Sequence, residues 1–258
     1  MDLVRFDVEK SVGWLTLNQP ETRNALSLEM MGAVQKVLDG LADDESVRAL
    51  VIRGAGPAFC AGHNLREMIG EAADSRKLRR IFDVCTRMME TLHNLPQPVI
   101  AQVHGIATAA GCQLVAACDL AVAESEARFA TPGVRIGLFC TTPMVPLCRV
   151  IGRRRALEML LTGRFISAEE AERFGLVNRV VPMSRLAEET EALAGEIAGY
   201  SRYTVGFGKR AFYTQIDQAE GAAYGYAREA IALNALTEDA QEGMTAFLEK
   251  RPPRWRDR

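Results

Sequence analysis

The chain has almost no net charge, no closely paired cysteines and no apolar run long enough to cross a bilayer. Its 258 residues carry 31 Lys and Arg against 33 Asp and Glu, a formal charge of −2, and the pI lies near 6.0. That balance excludes a broad cationic field for nucleic acid or an anionic membrane, so any anion must be gripped locally. The six cysteines (Cys60, Cys85, Cys112, Cys118, Cys140 and Cys148) lack the Cys-x-x-Cys spacing of a metal site. They read as reduced, mostly buried thiols in a reducing compartment. The polar Asp2, Arg5, Asp7 and Glu9 argue against a cleavable secretory signal, and the expected location is cytoplasmic. Solenoid repeats, linkers and low-complexity tracts are absent as well.

What is present is a core-forming pattern. With 48% hydrophobic and 25% charged residues, the chain can bury one large core. Residues 12–17 read as a strand. A helix follows from about Ser27, whose hydroxyl can cap it, with Met30, Val34, Val37, Leu38 and Leu41 at helical spacing. Residues 47–52 form a short apolar run suited to a strand covered on both faces. Residues 77–95 are again helical, and Pro96 and Pro98 end them before a strand at 99–103. A helix at 111–117 and a strand at 120–123 complete a parallel βαβ rhythm. Beyond Val145 the pattern turns helical, at 146–161, from a capping box at Ser167, and at 186–198, 204–213 and 218–250, the last long enough for two helices.

Two turns carry the chemistry. Phe59-Cys60-Ala61-Gly62-His63-Asn64-Leu65 and His104-Gly105-Ile106-Ala107-Thr108-Ala109-Ala110-Gly111-Cys112-Gln113 each join a strand to a helix through small residues. A main-chain amide aimed into a pocket offers a fixed dipole to a developing oxyanion, and small residues let a carbonyl approach it. The second turn also opens a helix, whose first amides lack intrahelical partners. Either turn alone is equally what close helix packing produces.

Together, at this spacing, and with Asn18-Gln19-Pro20 to Asn24-Ala25-Leu26 upstream, they resemble the crotonase (enoyl-CoA hydratase/isomerase) superfamily. The resemblance covers nearly the whole chain. It implies an α/β fold, the ClpP/crotonase-like spiral of ββα units over 1–195, with a C-terminal helical trimerisation region over 196–258. It also implies that Ala61 and Ala110 donate the oxyanion-hole amides, with Gly62, His63, Asn64, Leu65 and Gly111 around them. Arg23, Asn24 and Ala25 match the segment lining the CoA channel. Phe247 and Lys250 match the terminal-helix residues that touch substrate and CoA phosphate. The partner implied is an acyl-CoA or enoyl-CoA thioester, with coenzyme A as part of the substrate and no tightly bound cofactor, in a homotrimer or dimer of trimers.

The departures from the pattern bear on function. The hydratase glutamates are replaced by Gln113 and Gly133, and neither can relay a proton near neutral pH. Where other branches place a carboxylate, this chain has Cys140 and Thr141, read as pocket lining. His63 reads as a residue that hydrogen-bonds its turn, and His104 and Asp119 as structural. The segments at 133–140, 164–168 and 241–244 look most like the branch named enoyl-CoA hydratase domain-containing protein 3. The implied activity is enolate stabilisation on an acyl-CoA thioester by hydration, isomerisation or decarboxylation. The other reading is a catalytically silent acyl-CoA binder.

Overall fold

The computed structural model describes residues 2–70 and 74–258. Strand β1 (Val4–Glu9) pairs antiparallel with β2 (Val12–Leu17). Its alternation, Val4 and Phe6 half-buried between exposed charges, is that of an edge strand, which the charges alone had concealed. Helix α1 (Leu28–Leu41) starts at Ser27, whose hydroxyl accepts the Met30 amide, and leads to β3 (Ala49–Gly54). Helix α2 (Ser75–Asn94) is capped by Asp74 and precedes β4 (Val99–Val103) and β5 (Ile106–Thr108). Then come α3 (Ala110–Ala117), β6 (Leu120–Glu124) and β7 (Arg128–Ala130).

The expected helix over 146–161 is two helices. α4 (Thr141–Ile151) starts five residues earlier, and Gly152, at φ +79°, breaks it from α5 (Arg153–Thr162). Glycine tolerates that backbone, so the apolar spacing runs on while the helix axis does not. After β8 (Ile166–Ser167), Ser167 and Glu170 form the expected capping box on α6 (Ala168–Phe174). β9 (Arg179–Val181), α7 (Met183–Ala198), α8 (Arg202–Gln215), α9 (Glu220–Ala235) and α10 (Glu238–Leu248) finish the chain. Residue 195 lies within the last turns of α7, so a boundary drawn there falls inside a helix.

The main sheet runs β1-β2-β3-β4-β6-β9, parallel from β2 onward, and a small second sheet runs β5-β7-β8. Period-two alternation divides the main sheet's side chains between two cores. Leu15, Leu17, Leu50 and Ile52 enter the larger one with α1, α2 and α3. Trp14, Val51, Ile100 and Val122 face the other way and are covered by Leu186 and Ala194 of α7. Burying each such side chain contributes about 1.5–3 kcal/mol. The two sheets meet where Cys60 pairs in parallel with Ala107, and that junction holds both glycine-bearing turns.

Candidate active site

The first turn is stitched on both sides by main-chain bonds. The Phe59 amide donates to His104 O at 3.0 Å, Cys60 to Ile106 O at 3.1 Å, and Thr108 back to Cys60 O at 3.0 Å. On the opposite side the Leu26 amide donates to Gly62 O at 2.8 Å and Asn64 to Leu26 O at 3.2 Å. Asn24 is the strut beneath. It is fully buried at φ +56°, and its Nδ2 donates to Ala55, Ala58 and Phe59 carbonyls while its Oδ1 accepts the Gln19 amide. The sequence reading grouped Asn24 with the CoA channel. Its place between two loops is legible only once both loops are seen together.

This stitching corrects one assignment. The Ala61 amide donates to Arg23 O at 3.0 Å, so it is committed to the scaffold and cannot also meet a substrate oxygen. Arg23 itself is exposed, at φ +54°. Two residues on, the His63 amide has no acceptor among the described residues. Neither has the amide of Ala110, the first residue of α3. Ala109 makes that possible by adopting φ 51° and ψ −117°, a conformation unusual for a side-chain-bearing residue and costing about 1–3 kcal/mol. Gly62, at φ +93°, brings the two turns together, since a β-carbon there would lie 3.1 Å from the Ala110 nitrogen and 2.8 Å from Thr108 O. Gly111 presses similarly against the Cys60 carbonyl.

Around the two free amides stand polar groups without partners. Gln113 is 4% exposed, and its Oε1 accepts no hydrogen bond among the described residues. His63 was expected to hydrogen-bond its turn; its ring nitrogens are buried and make no well-aligned hydrogen bond among the described residues, although the Leu26 main chain beside the turn lies within reach of the ring. Its ring instead stands edge-on to Phe82 of α2, with centroids 5.4 Å apart. Burial pushes its pKa down, favouring the neutral imidazole. His104 is structural as expected, bonding Gly56 O at 2.8 Å. Asn64 caps the short turn after it through the Arg66 amide, and Leu65 is exposed. The Ala25 carbonyl accepts the Ser27 amide at 3.0 Å.

At Gly133 the missing side chain has no room to exist. A β-carbon there would lie 2.1 Å from the Leu138 carbonyl oxygen and 2.8 Å from Cys140 Sγ. The following loop therefore occupies the space a glutamate would need. Cys140 is buried, which pushes its thiol pKa up and suits pocket lining rather than nucleophilic work. Thr141 is exposed at the start of α4. Phe247, 83% exposed, lies in the last turn of α10, and Lys250, also exposed, follows two residues past its end.

A residue cluster outside the turns was only half legible. Asp119, read as a packing residue, accepts the Val99 amide at 2.6 Å and the Tyr213 hydroxyl at 2.8 Å, and forms a 2.7 Å ion pair with Lys209. Lys209 also donates to Leu92 O and Gln97 O. The cluster clamps α8 onto the ends of α2 and β4.

The family model described as enoyl-CoA hydratase/isomerase matches residues 7–258. The chain belongs to the enoyl-CoA hydratase/isomerase family. The human enoyl-CoA hydratase domain-containing protein 3, mitochondrial, is 46% identical over 241 residues, which cover 93% of this chain and 79% of the relative. Its crystal structure superposes with a TM-score of 0.96 at 44% identity, over 98% of this chain and all of that one. The crystal structure of an enoyl-CoA hydratase from Mycobacterium smegmatis gives a TM-score of 0.96 at 49% identity, covering 99% of each chain. These matches establish the crotonase fold. They also overturn the cytoplasmic assignment, because the human, rat, zebrafish and frog relatives are all mitochondrial by name. Reduced thiols and near-zero charge suit either compartment, so composition could not separate the two.

Proposed function

We propose that this family member binds an acyl-CoA thioester and stabilises its enolate between the main-chain amides of His63 and Ala110. The observation that carries the reading is the pair of unbonded amides held side by side by Gly62. Folding leaves few buried amides idle, and two together, backed by a helix start, form a preorganised anion site. A thioester carbonyl seated there gains hydrogen bonds that strengthen as its oxygen becomes an enolate. The CoA portion is the substrate's handle, with Arg23 and Ala25 along its channel and Phe247 and Lys250 supplied by a neighbouring subunit of a trimer or a dimer of trimers.

Hydration by paired glutamates is not the chemistry proposed. Gln113 has no useful basicity, and the Gly133 position is filled by the Leu138 carbonyl. Isomerisation and decarboxylation both pass through the enolate and fit the site better; decarboxylation generates it without a general base. The same filled position supports a second reading, an acyl-CoA-binding homologue without turnover.

Binding and turnover measured in parallel decide between them. Titration of butyryl-CoA and free CoA should give saturable binding, and crotonyl-CoA hydration should be very slow. Ala110→Val should crowd the thioester oxygen and weaken butyryl-CoA, leaving free CoA within about twofold. Lys250→Ala should weaken both ligands by about fivefold, the scale of a partly exposed charge-assisted contact. Unchanged binding in both variants would leave only the fold resemblance standing.

A further inference from the structure

We infer that the His63 imidazole is the proton-transfer group of this site, standing in for the absent glutamates. The inference rests on the enolate reading above and adds a catalytic residue to it. Buried polar groups are normally partnered, and an idle one costs about 1–3 kcal/mol. Among the described residues His63 leaves both buried ring nitrogens without a well-aligned hydrogen bond, with only the Leu26 main chain within reach, in the same residue whose main-chain amide is also free. Among the described residues, the other titratable groups beside the two turns are committed or unsuited. The Cys60 and Cys112 thiols are pushed up to about 12 by burial, and the Cys140 thiol is raised as well. The Glu67 carboxylate accepts the Leu28 amide at 3.0 Å. Among these, His63 combines a ring nitrogen without a well-aligned partner with a form that burial keeps neutral.

The covalent geometry of one residue makes the assignment economical. A thioester oxygen bonded to the His63 amide places the substrate α-carbon two bonds from that oxygen. The ring nitrogens lie three and four bonds from the same Cα that carries the amide, a span comparable with the two bonds that separate the thioester oxygen from the α-carbon, so one residue could serve both atoms. Phe82, which covers the ring edge, is itself only half-buried, leaving the cover free to yield to an acyl group. In the step, the α-carbon–hydrogen bond breaks and its electron pair enters the thioester π system to give the enolate. The proton passes to the neutral imidazole, which becomes imidazolium. The reverse step returns a proton to the α-carbon or, in an unsaturated acyl chain, to the γ-carbon, and nothing is oxidised or reduced.

Deuterium exchange into butyryl-CoA isolates this step, because a saturated chain can be neither hydrated nor isomerised. The purified full chain in D₂O near neutral pH should exchange the α-protons well above the buffer rate, as read by NMR or mass spectrometry. His63→Ala and His63→Gln should each lower exchange by about 100-fold or more, the usual scale of general-base catalysis, with butyryl-CoA binding held within about threefold. Added imidazole should restore part of the rate to His63→Ala. Wild-type protein that binds butyryl-CoA without exchanging it, or a His63→Gln variant that exchanges at the wild-type rate, would overturn the assignment and leave the binding pocket intact. Failure of the wild type to bind butyryl-CoA would overturn both readings.

Discussion

Gly133 limits what can be engineered into this site. Restoring paired glutamates by substitution at 113 and 133 looks simple from sequence, where both positions differ by identity alone. In three dimensions they differ in kind. Gln113 is a buried side chain of nearly glutamate size, whereas position 133 has no volume for a β-carbon. Gly133→Ala should therefore destabilise the protein by about 1–3 kcal/mol, the cost of overpacking, as measured by urea denaturation. Crotonyl-CoA hydration by Gln113→Glu should not rise further when Gly133→Glu is added, and a clear rise would mean that the loop through Leu138 moves aside. The residue types at both positions, and the small-residue turns, were legible in the sequence. Which amides stay free was not, because Ala61 is withdrawn by Arg23, a partner 38 residues away, and no local pattern encodes that contact.

At the scale of elements, periodicity identified the helices and strands that bury an apolar face. It missed those whose reason lies elsewhere. β1 exists because β2 offers it an edge, and the break at Gly152 follows from one backbone angle. α8 is held largely by polar contacts, with only Gly206 buried along its length, so the Asp119, Lys209 and Tyr213 cluster is its main attachment. The Asp119 and Lys209 side chains are 14% and 6% exposed, which makes the pair one whose single-sided removal is costly. Lys209→Met should destabilise by about 3–5 kcal/mol by leaving the Asp119 carboxylate uncompensated, again read by urea denaturation. A loss below about 1 kcal/mol would mean that solvent reaches the pair and that apolar contacts hold α8.

The C-terminal tail gives a pH-dependent counterpart. Hydrogen bonds from Arg251 and from the Arg254 amide hold the Glu242 carboxylate down to about 2. Its folded pKa lies below the ordinary value of 4.5, so the stabilisation is fully present above that value and is lost as pH falls toward 2. Trp255 reports on this tail, donating its indole N–H to Gly199 O at 3.0 Å and stacking over Gly243. Its fluorescence should shift to a solvent-exposed signature as pH drops through that window, and Glu242→Gln should show the shift already at neutral pH. A wild-type signal flat to pH 2 would show that Glu242 does not hold the tail.

The whole molecule leaves one helix unexplained in isolation. α9 spans 16 residues without a single buried one, although it carries Tyr224, Ile231 and Leu233, exposed at 71%, 64% and 64%. Leu236, Phe247 and Leu248 continue the exposed apolar surface into α10. Large exposed apolar surface of this kind is what an interface would cover, and cyclic closure would satisfy it without leaving free edges. The exposed end of α10 also carries Phe247, with Lys250 just beyond it, the two residues proposed above to reach the substrate of a neighbouring subunit. Assembly and ligand binding should therefore fail together. Light scattering at micromolar concentration should give a trimer or hexamer, and Ile231→Glu with Leu233→Glu should give a folded monomer by circular dichroism. That monomer should bind butyryl-CoA at least tenfold more weakly, because it lacks the neighbour's α10. A monomeric variant that binds as well as the wild type would show that one chain completes the site alone, and would remove Phe247 and Lys250 from it.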